Sequence, residues 1–201
     1  MRILKVTQSY APYSSKGGLP TKVSGIARAL AARGHEVTVL TADWGPAGSG
    51  PELRSRQQSN SRRGWEFRRD GVEAVYLPTL ASYRGATLNP GVLTFCLRRL
   101  RGYDVAHVYG LYDLLGCVVA RSCQHRRLPY VLEPLGMFGI KVRSRQKKRL
   151  YHRLIGSSLV SDAQMIVATS EIEQEELIKG AIPDAKILLR RDGVNLAEFQ
   201  T

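Results

Sequence analysis

Short apolar runs and amphipathic segments alternate along most of this 201-residue chain. Residues 3–6 form a strand-like apolar run, and residues 19–33 repeat apolar side chains at the spacing of an α-helix. Gly34 ends that helix, and a second strand is predicted at 35–42. This order predicts a strand–helix–strand unit, which is the building block of a parallel sheet.

The alternation continues beyond this first unit. A polar stretch at 43–64 is predicted to be a flexible basic loop, and Asp70-Gly71 between two later strand-like runs indicates a hairpin turn. Strands are predicted at 66–69, 72–78, 104–108, 130–133, 163–169 and 186–189. Helices are predicted at 91–101, 112–124, about 141–160 and 171–179. The pattern therefore predicts an α/β fold with a mainly parallel sheet.

The composition is that of an ordinary globular protein, with 43% hydrophobic and 23% charged residues. We expect one domain over residues 1–190 and the start of a linker over 191–201. No signal peptide or membrane-spanning segment is recognisable, so a cytoplasmic location is expected. The three cysteines show no metal-binding spacing, and we expect them to be reduced thiols.

The net charge of +13 is the unusual feature of the composition. Much of it lies in an acid-free basic cluster, which comprises Lys141, Arg143, Arg145, Lys147, Lys148 and Arg149. The cluster is consistent with a solvated face, with an anionic membrane surface or with a phosphate-bearing acceptor. Nucleic acid is not expected, because no aromatic residues are interleaved for base stacking and no nucleic-acid-binding motif is present.

Ligands of parallel sheets bind at the carboxyl ends of the strands. The residues predicted there are Gly17, Gly18, His107, Tyr109, Glu133, Gly136, Met137 and Ser170. Gly17-Gly18 precede a helix whose free N–H groups could bind an anion. The two glycines could equally form a simple turn before that helix.

The other candidates have alternatives of their own. His107 is either a ligand-binding residue or a buried core histidine. Glu133 could cap a helix, pair with an arginine or bind a substrate hydroxyl. Ser170 could also be the N-cap of the helix that follows it. No spacing typical of a catalytic site is present, so the catalytic residues stay unassigned.

Several motifs in this order resemble the N-terminal half of family-4, GT-B-fold glycosyltransferases. The strongest is Arg33-Gly34-His35-Glu36-Val37, which follows the glycine pair. The others are Asp104-Val-Ala-His107, Pro134-x-Gly136-Met137, Lys147-Lys148, the segment from Ala163 through Ser170 to Glu173, and Gly193-Val194. The resemblance covers nearly the whole chain, and it adds Glu173 to the residues expected to line the cleft.

The resemblance implies a Rossmann-like sheet with helices on both faces, as one half of a GT-B fold. It also implies a retaining transfer from a UDP- or GDP-sugar to a glycan or lipid-linked acceptor of the cell envelope, without a metal or other cofactor. In the family this half binds the acceptor and lends its glycine pair to the donor phosphates. The donor-binding domain with its paired glutamates is not recognisable here, so we expect the chain to be inactive alone or to use a separate donor domain. Many relatives carry histidine or arginine where this chain has Leu135.

Two alternatives remain open from the sequence. One is a non-catalytic domain that binds a sugar or a partner. The other is a dinucleotide-binding domain with Asp43 as its ribose-binding acid, but the glycine pair lies too far from the first strand and lacks a third glycine.

Overall fold

A single large sheet organises this protein. The computed structural model describes residues 1–11, 13, 18–44, 64–83, 86–111, 113–138, 157–191 and 193. Within them the strands are β1 (Arg2–Val6), β2 (Glu36–Asp43), β3 (Trp65–Arg69), β4 (Val72–Pro78), β5 (Ala81–Tyr83), β6 (Ala86–Leu88), β7 (Val105–Tyr109), β8 (Tyr130–Glu133), β9 (Met165–Ala168) and β10 (Ile187–Leu189). The α-helices are α1 (Gly18–Ala32), α2 (Gly91–Arg99), α3 (Leu114–Arg126), α4 (Ser157–Ser161) and α5 (Glu171–Lys179).

The strands of this sheet run in the order β10-β9-β8-β7-β1-β2-β4-β3. Every neighbouring pair is parallel except β3 and β4, which form an antiparallel hairpin. The chain leaves β1 toward β2 and β4, and later returns to build β7 to β10 on the other side of β1. Strand order therefore reverses between β1 and β7, and such a switch point is where ligands of open α/β sheets bind.

Helices cover both faces of the sheet. One face carries Leu4, Val108 and Leu132 and packs against buried side chains of α2 to α5. The other carries Val37 and Val39 and packs against α1. The predicted fold class, a Rossmann-like and mainly parallel sheet with helices on both faces, is confirmed.

Local sequence signals account for several ends of these elements. Asp70 (φ 52°) and Gly71 (φ 75°) make the predicted turn between β3 and β4, where two positive φ angles match the twist of a hairpin. Gly34 (φ 83°) ends α1. Ser170 caps α5 by accepting a hydrogen bond of 3.2 Å from the Glu173 N–H, so its predicted N-cap role is confirmed.

Some predicted boundaries were wrong. The helix predicted at 91–101 gives way to a 3₁₀ turn at Leu100–Gly102, and the strand predicted at 104–108 is shifted to β7. The small β5–β6 hairpin was missed, because each strand has only three residues.

Parts of three predicted segments cannot be compared with the structure. The basic loop at 43–64 and the helix at 141–160 lie largely outside the described residues, as does most of the linker at 191–201. Cys96, Cys117 and Cys123 are free thiols. Among the described helices, none combines the length and the apolar composition that a membrane crossing requires.

We predict that Gly116→Ala destabilises the protein whereas Gly25→Ala does not. A Cβ at Gly116 would lie 2.8 Å from Val108 Cγ1, across the contact between α3 and β7. We expect the free energy of unfolding to fall by about 1–2 kcal/mol, since overpacking outweighs the gain in helix propensity. Gly25 lies in α1 with open space around its Cβ position, so its substitution should add about 0.5–1 kcal/mol. Urea denaturation measures both changes, and a Gly116→Ala protein as stable as the wild type would contradict the packing described here.

Candidate functional site

The carboxyl ends of β1, β7 and β8 meet at the switch point of the sheet. In the register of these strands Lys5 lies beside His107, and Tyr109 lies beside Glu133. Because side chains alternate between the two faces of a sheet, all four project toward the face covered by α1. Each is almost completely buried apart from His107, whose side chain is 12% exposed. A polar cluster thus occupies the place where an apolar core would otherwise continue.

Glu133 is the centre of this cluster, and its side chain is fully buried. One carboxylate oxygen contacts the ammonium group of Lys22, which comes from α1. The other accepts a hydrogen bond of 2.7 Å from Arg190, which follows β10, and lies 3.2 Å from His107 Nε2. Burial opposes ionisation of Glu133, but the hydrogen bonds from His107 and Lys22, with Arg190 nearby, hold the pKa of its carboxyl at about 2. Glu133 is therefore an anion that joins four elements of the fold.

Lys5 forms a second layer behind His107. Its ammonium group lies 2.7 Å from the Tyr109 hydroxyl and 3.4 Å from His107 Nδ1. An ammonium group can only donate, so Nδ1 accepts and the imidazole hydrogen belongs on Nε2, facing Glu133. Burial lowers the pKa of His107 to about 4, against the hydrogen bond with Glu133. His107 is therefore neutral near pH 7. Its imidazole ring lies between Glu133 and Lys5 and contacts both.

The cluster carries more positive than negative charge. Burial lowers the pKa of Lys5 to about 7, and Arg190 acts in the same direction. Lys22 and Arg190 together outnumber the single carboxylate that they share. The Arg190 side chain is 31% exposed and can meet a ligand from solvent, whereas the ammonium nitrogen of Lys22 is buried against Glu133. A partly exposed cation in a cluster with an excess of positive charge favours an anionic ligand at this edge of the sheet.

A tight turn over Pro134–Met137 follows β8 and forms a rim beside this cluster. Leu135 (φ 60°) and Gly136 (φ 71°) both have positive φ angles, and the Met137 N–H bonds to the Pro134 carbonyl at 3.3 Å. A leucine in this left-handed region is strained by about 1–3 kcal/mol unless its surroundings hold it there. Leu135 packs against the aromatic core beside α1, and this packing holds it in place.

Glu173 fastens this turn to the start of α5. Its carboxylate accepts hydrogen bonds from the Gly136 N–H at 2.5 Å and from the N–H and hydroxyl of Thr169, both at 2.9 Å. The side chain is buried, with all three bonds coming from loops at the carboxyl ends of β8 and β9. Glu173 therefore positions the rim.

The loop after β1 is held by groups from three other strands or their ends. The Asp43 carboxylate accepts from the Tyr13 hydroxyl at 2.5 Å and from Trp65 Nε1 at 3.1 Å. The Tyr76 hydroxyl bonds to the Ala11 carbonyl, and its ring stacks on Trp65 at a centroid distance of 3.6 Å. These contacts fix Ala11 and Tyr13 in the segment that follows β1.

A sequence model of the glycosyl transferase 4-like domain matches residues 17–193. The chain belongs to this family. A comparison with curated protein sequences gives no match.

Solved structures share the fold of this family member. Sucrose-phosphate synthase from Thermosynechococcus elongatus has a TM-score of 0.65 at 19% identity, and the match covers 98% of this chain and 49% of that one. Anabaena Alr3699/HepE in complex with UDP and glucose has a TM-score of 0.60 at 16% identity, with coverages of 98% and 46%. UDP-GlcNAc 2-epimerase from Neisseria meningitidis bound to UDP-GlcNAc has a TM-score of 0.52 at 15% identity, with coverages of 96% and 47%. The chain spans about half the length of the structures it matches, and identities this low establish the fold alone.

The structure brings some of the predicted site residues of this glycosyltransferase-family domain together. His107 and Glu133 are in contact, and Gly136 and Met137 lie exposed on the rim. Gly18 is the exposed first residue of α1, with open space around its Cβ position. Gly17 and the basic cluster from Lys141 to Arg149 lie outside the described residues.

Three predicted cleft-lining residues do not face open space. Tyr109 is 1% exposed, Glu133 is 0% exposed and Glu173 is 2% exposed, because each is engaged by other groups of the domain. Asp43 is likewise occupied by Tyr13 and Trp65, and this removes it as a free ribose-binding acid. Ser170 is engaged as the cap of α5.

Sequence reasoning missed Lys5, Lys22 and Arg190. Lys5 interrupts an otherwise apolar strand, and that interruption is a signal that could have identified it. Lys22 and Arg190 lie in ordinary polar surroundings, and only the fold brings them to Glu133.

We predict that Lys5→Met removes a pH-dependent part of the stability. Burial lowers the pKa of Lys5 from 10.5 to about 7, so between these values the unfolded chain binds more protons and the free energy of unfolding of the wild type rises with pH. The Met variant should lack this rise and should be the more stable protein below about pH 7. Urea denaturation between about pH 6 and pH 10 measures the difference. Lys179→Met is the control, since that side chain is 75% exposed. If the free energy of unfolding varied with pH in the same way for all three proteins, the burial of a charged Lys5 side chain would be contradicted.

Proposed function

We propose that this chain is the acceptor-side, N-terminal domain of a retaining glycosyltransferase. The enzyme would move a sugar from a UDP- or GDP-sugar to a glycan or lipid-linked acceptor of the cell envelope. The observation that carries the proposal is the excess of positive charge that Lys22 and Arg190 bring to the switch point, beside the N-terminus of α1. Membership of the glycosyl transferase 4-like family supports the reaction class.

The geometry suits stabilisation of a leaving diphosphate. Gly18 leaves the first turn of α1 uncovered, and free N–H groups at a helix N-terminus together with the helix dipole favour negative charge. Lys22 lies on the same helix, and Glu133 holds its ammonium group in place. Fixed positive groups of this kind lower the energy of charge that develops on the departing nucleotide in the transition state. The neighbours whose structures contain UDP or UDP-GlcNAc support a nucleotide-sugar donor.

The acceptor would meet the rim formed by the Pro134–Met137 turn. Leu135 offers an apolar surface where a histidine or arginine would offer a hydrogen-bond donor, so this wall would contact an acceptor or sugar by packing. The donor-binding half and its catalytic groups would come from a further domain, because the chain spans about half the length of the structures it matches. The alternative is a non-catalytic domain that binds a sugar or a partner without transferring a sugar. This alternative would hold if no donor-binding domain joined this one.

We predict that Arg190→Gln, with an unfolding midpoint that confirms the variant is folded, weakens binding of UDP-glucose or another nucleotide sugar by roughly tenfold, the loss expected for one charged hydrogen bond. Calorimetric titration with UDP-glucose, a GDP-sugar and NAD measures the affinities. Lys179→Gln is the matched control, because that lysine is exposed and pairs with Glu175 on α5. Tighter binding of NAD than of any nucleotide sugar would refute the proposal. Transfer of labelled sugar to an acceptor, measured in parallel, separates an enzyme from a binding domain.

We also propose that the basic cluster 141–149 brings the domain to an anionic membrane surface on the cytoplasmic side. Each basic residue near such a surface contributes about 1 kcal/mol. Replacing Lys147 and Lys148 by glutamine should therefore weaken binding to vesicles that contain phosphatidylglycerol by roughly thirtyfold, as measured by co-sedimentation. Equal binding of the wild type to vesicles with and without that lipid would refute the membrane role of this cluster.

A further inference from the structure

The outer side of α2 exposes leucines that the fold does not need. Leu93 is 58% exposed and Leu97 is 69% exposed, and they lie one turn apart on the helix. The inner side of the same helix is already apolar, with Val92, Phe95 and Cys96 buried against the sheet. A helix packed on one face needs polar residues on the other, so its exposed leucines indicate a second contact.

Positive charge accompanies these leucines. Arg98 of α2 and Arg101 of the following 3₁₀ turn are both exposed, and neither forms an ion pair with any residue that the structure describes. Arg99 differs, because it turns back to the sheet and pairs with Glu66 and Glu73. The sequence has no aspartate or glutamate between Ala81 and Tyr103. The outer side of α2 is therefore apolar and cationic, without compensating carboxylates of its own.

Exposed leucines also occur at the base of the β5–β6 hairpin, which precedes α2 in the chain. Leu80 is 73% exposed and Leu88 is 45% exposed, and the Leu80 N–H bonds to the Leu88 carbonyl at 2.9 Å. Asn89 separates the hairpin from the helix and donates hydrogen bonds to the carbonyls of Leu77 and Pro78. The base of the hairpin is thus fixed to the end of β4 and does not depend on the helix surface for its position.

We infer that α2 and the base of the β5–β6 hairpin dock on an anionic lipid bilayer. Exposed leucines can enter the boundary between headgroups and acyl chains, while neighbouring arginines remain at the level of the phosphates. The absence of acidic residues favours a lipid phosphate surface over a second copy of this face, which would place arginines against arginines. This contact is separate from the basic cluster 141–149, so either proposed membrane contact can be refuted without refuting the other.

The test compares paired substitutions in vesicle co-sedimentation. We expect the purified protein to bind phosphatidylcholine vesicles that contain phosphatidylglycerol, and Leu93→Gln/Leu97→Gln to weaken this binding by tenfold or more, on the order of what two part-buried leucines contribute. Ile172→Gln/Ile178→Gln is the matched control on α5, where the side chains are 64% and 45% exposed, and it should bind as the wild type does. Unfolding midpoints confirm that all variants are folded.

The arginines are tested in the same assay. Arg98→Gln/Arg101→Gln should weaken binding by roughly tenfold at low salt, and by less at high salt, because the contribution of surface charge is screened. The leucine variant should retain its defect at high salt. This contrast separates apolar insertion from attraction by charge alone.

A Leu97→Trp protein reports directly on insertion. Its fluorescence should shift to shorter wavelength when anionic vesicles are added, and an equivalent Ile172→Trp protein should show no shift. The inference is overturned if the leucine variant binds vesicles as tightly as the wild type. It is also overturned if the wild type self-associates through this face, shown by a dimer that the leucine variant abolishes, without binding vesicles.

Discussion

The buried carboxylate of Glu133 is the interaction on which the charged edge of the sheet depends. It compensates Lys22 from α1 and Arg190, which directly follows the last strand, and it aligns His107 of β7 between itself and Lys5. Removing this carboxylate would take a buried ionic partner from both Lys22 and Arg190, which is strongly destabilising. The site is therefore rigid at its centre, and the groups that can meet a ligand are those on its periphery.

Most of the fold could be predicted because local pattern and tertiary structure agree. The helix before Gly34, the hairpin at Asp70-Gly71 and the parallel strands all follow from apolar spacing and turn chemistry. The β5–β6 hairpin could not be predicted, because three residues are too few for a periodic signal.

The candidate site was less accessible to sequence reasoning. His107 and Glu133 could be located at strand ends, but their pairing depends on register, and Lys22 and Arg190 are far from them along the chain. The bonds of the buried Glu173 to Thr169 and Gly136 could not be predicted, since they exist only once two loops have met. Interactions between distant loops leave no periodic trace in a sequence.

The anchoring of the loop after β1 has a consequence for engineering. Asp43, Trp65 and Tyr76 come from three strands, and together they hold the segment that ends at Tyr13. A grafted loop without a tyrosine at position 13 would take one hydroxyl donor from the Asp43 carboxylate, and a changed backbone at Ala11 would take the acceptor from the Tyr76 hydroxyl. An exchange that includes these anchoring side chains is therefore the smallest unit that can be transplanted intact.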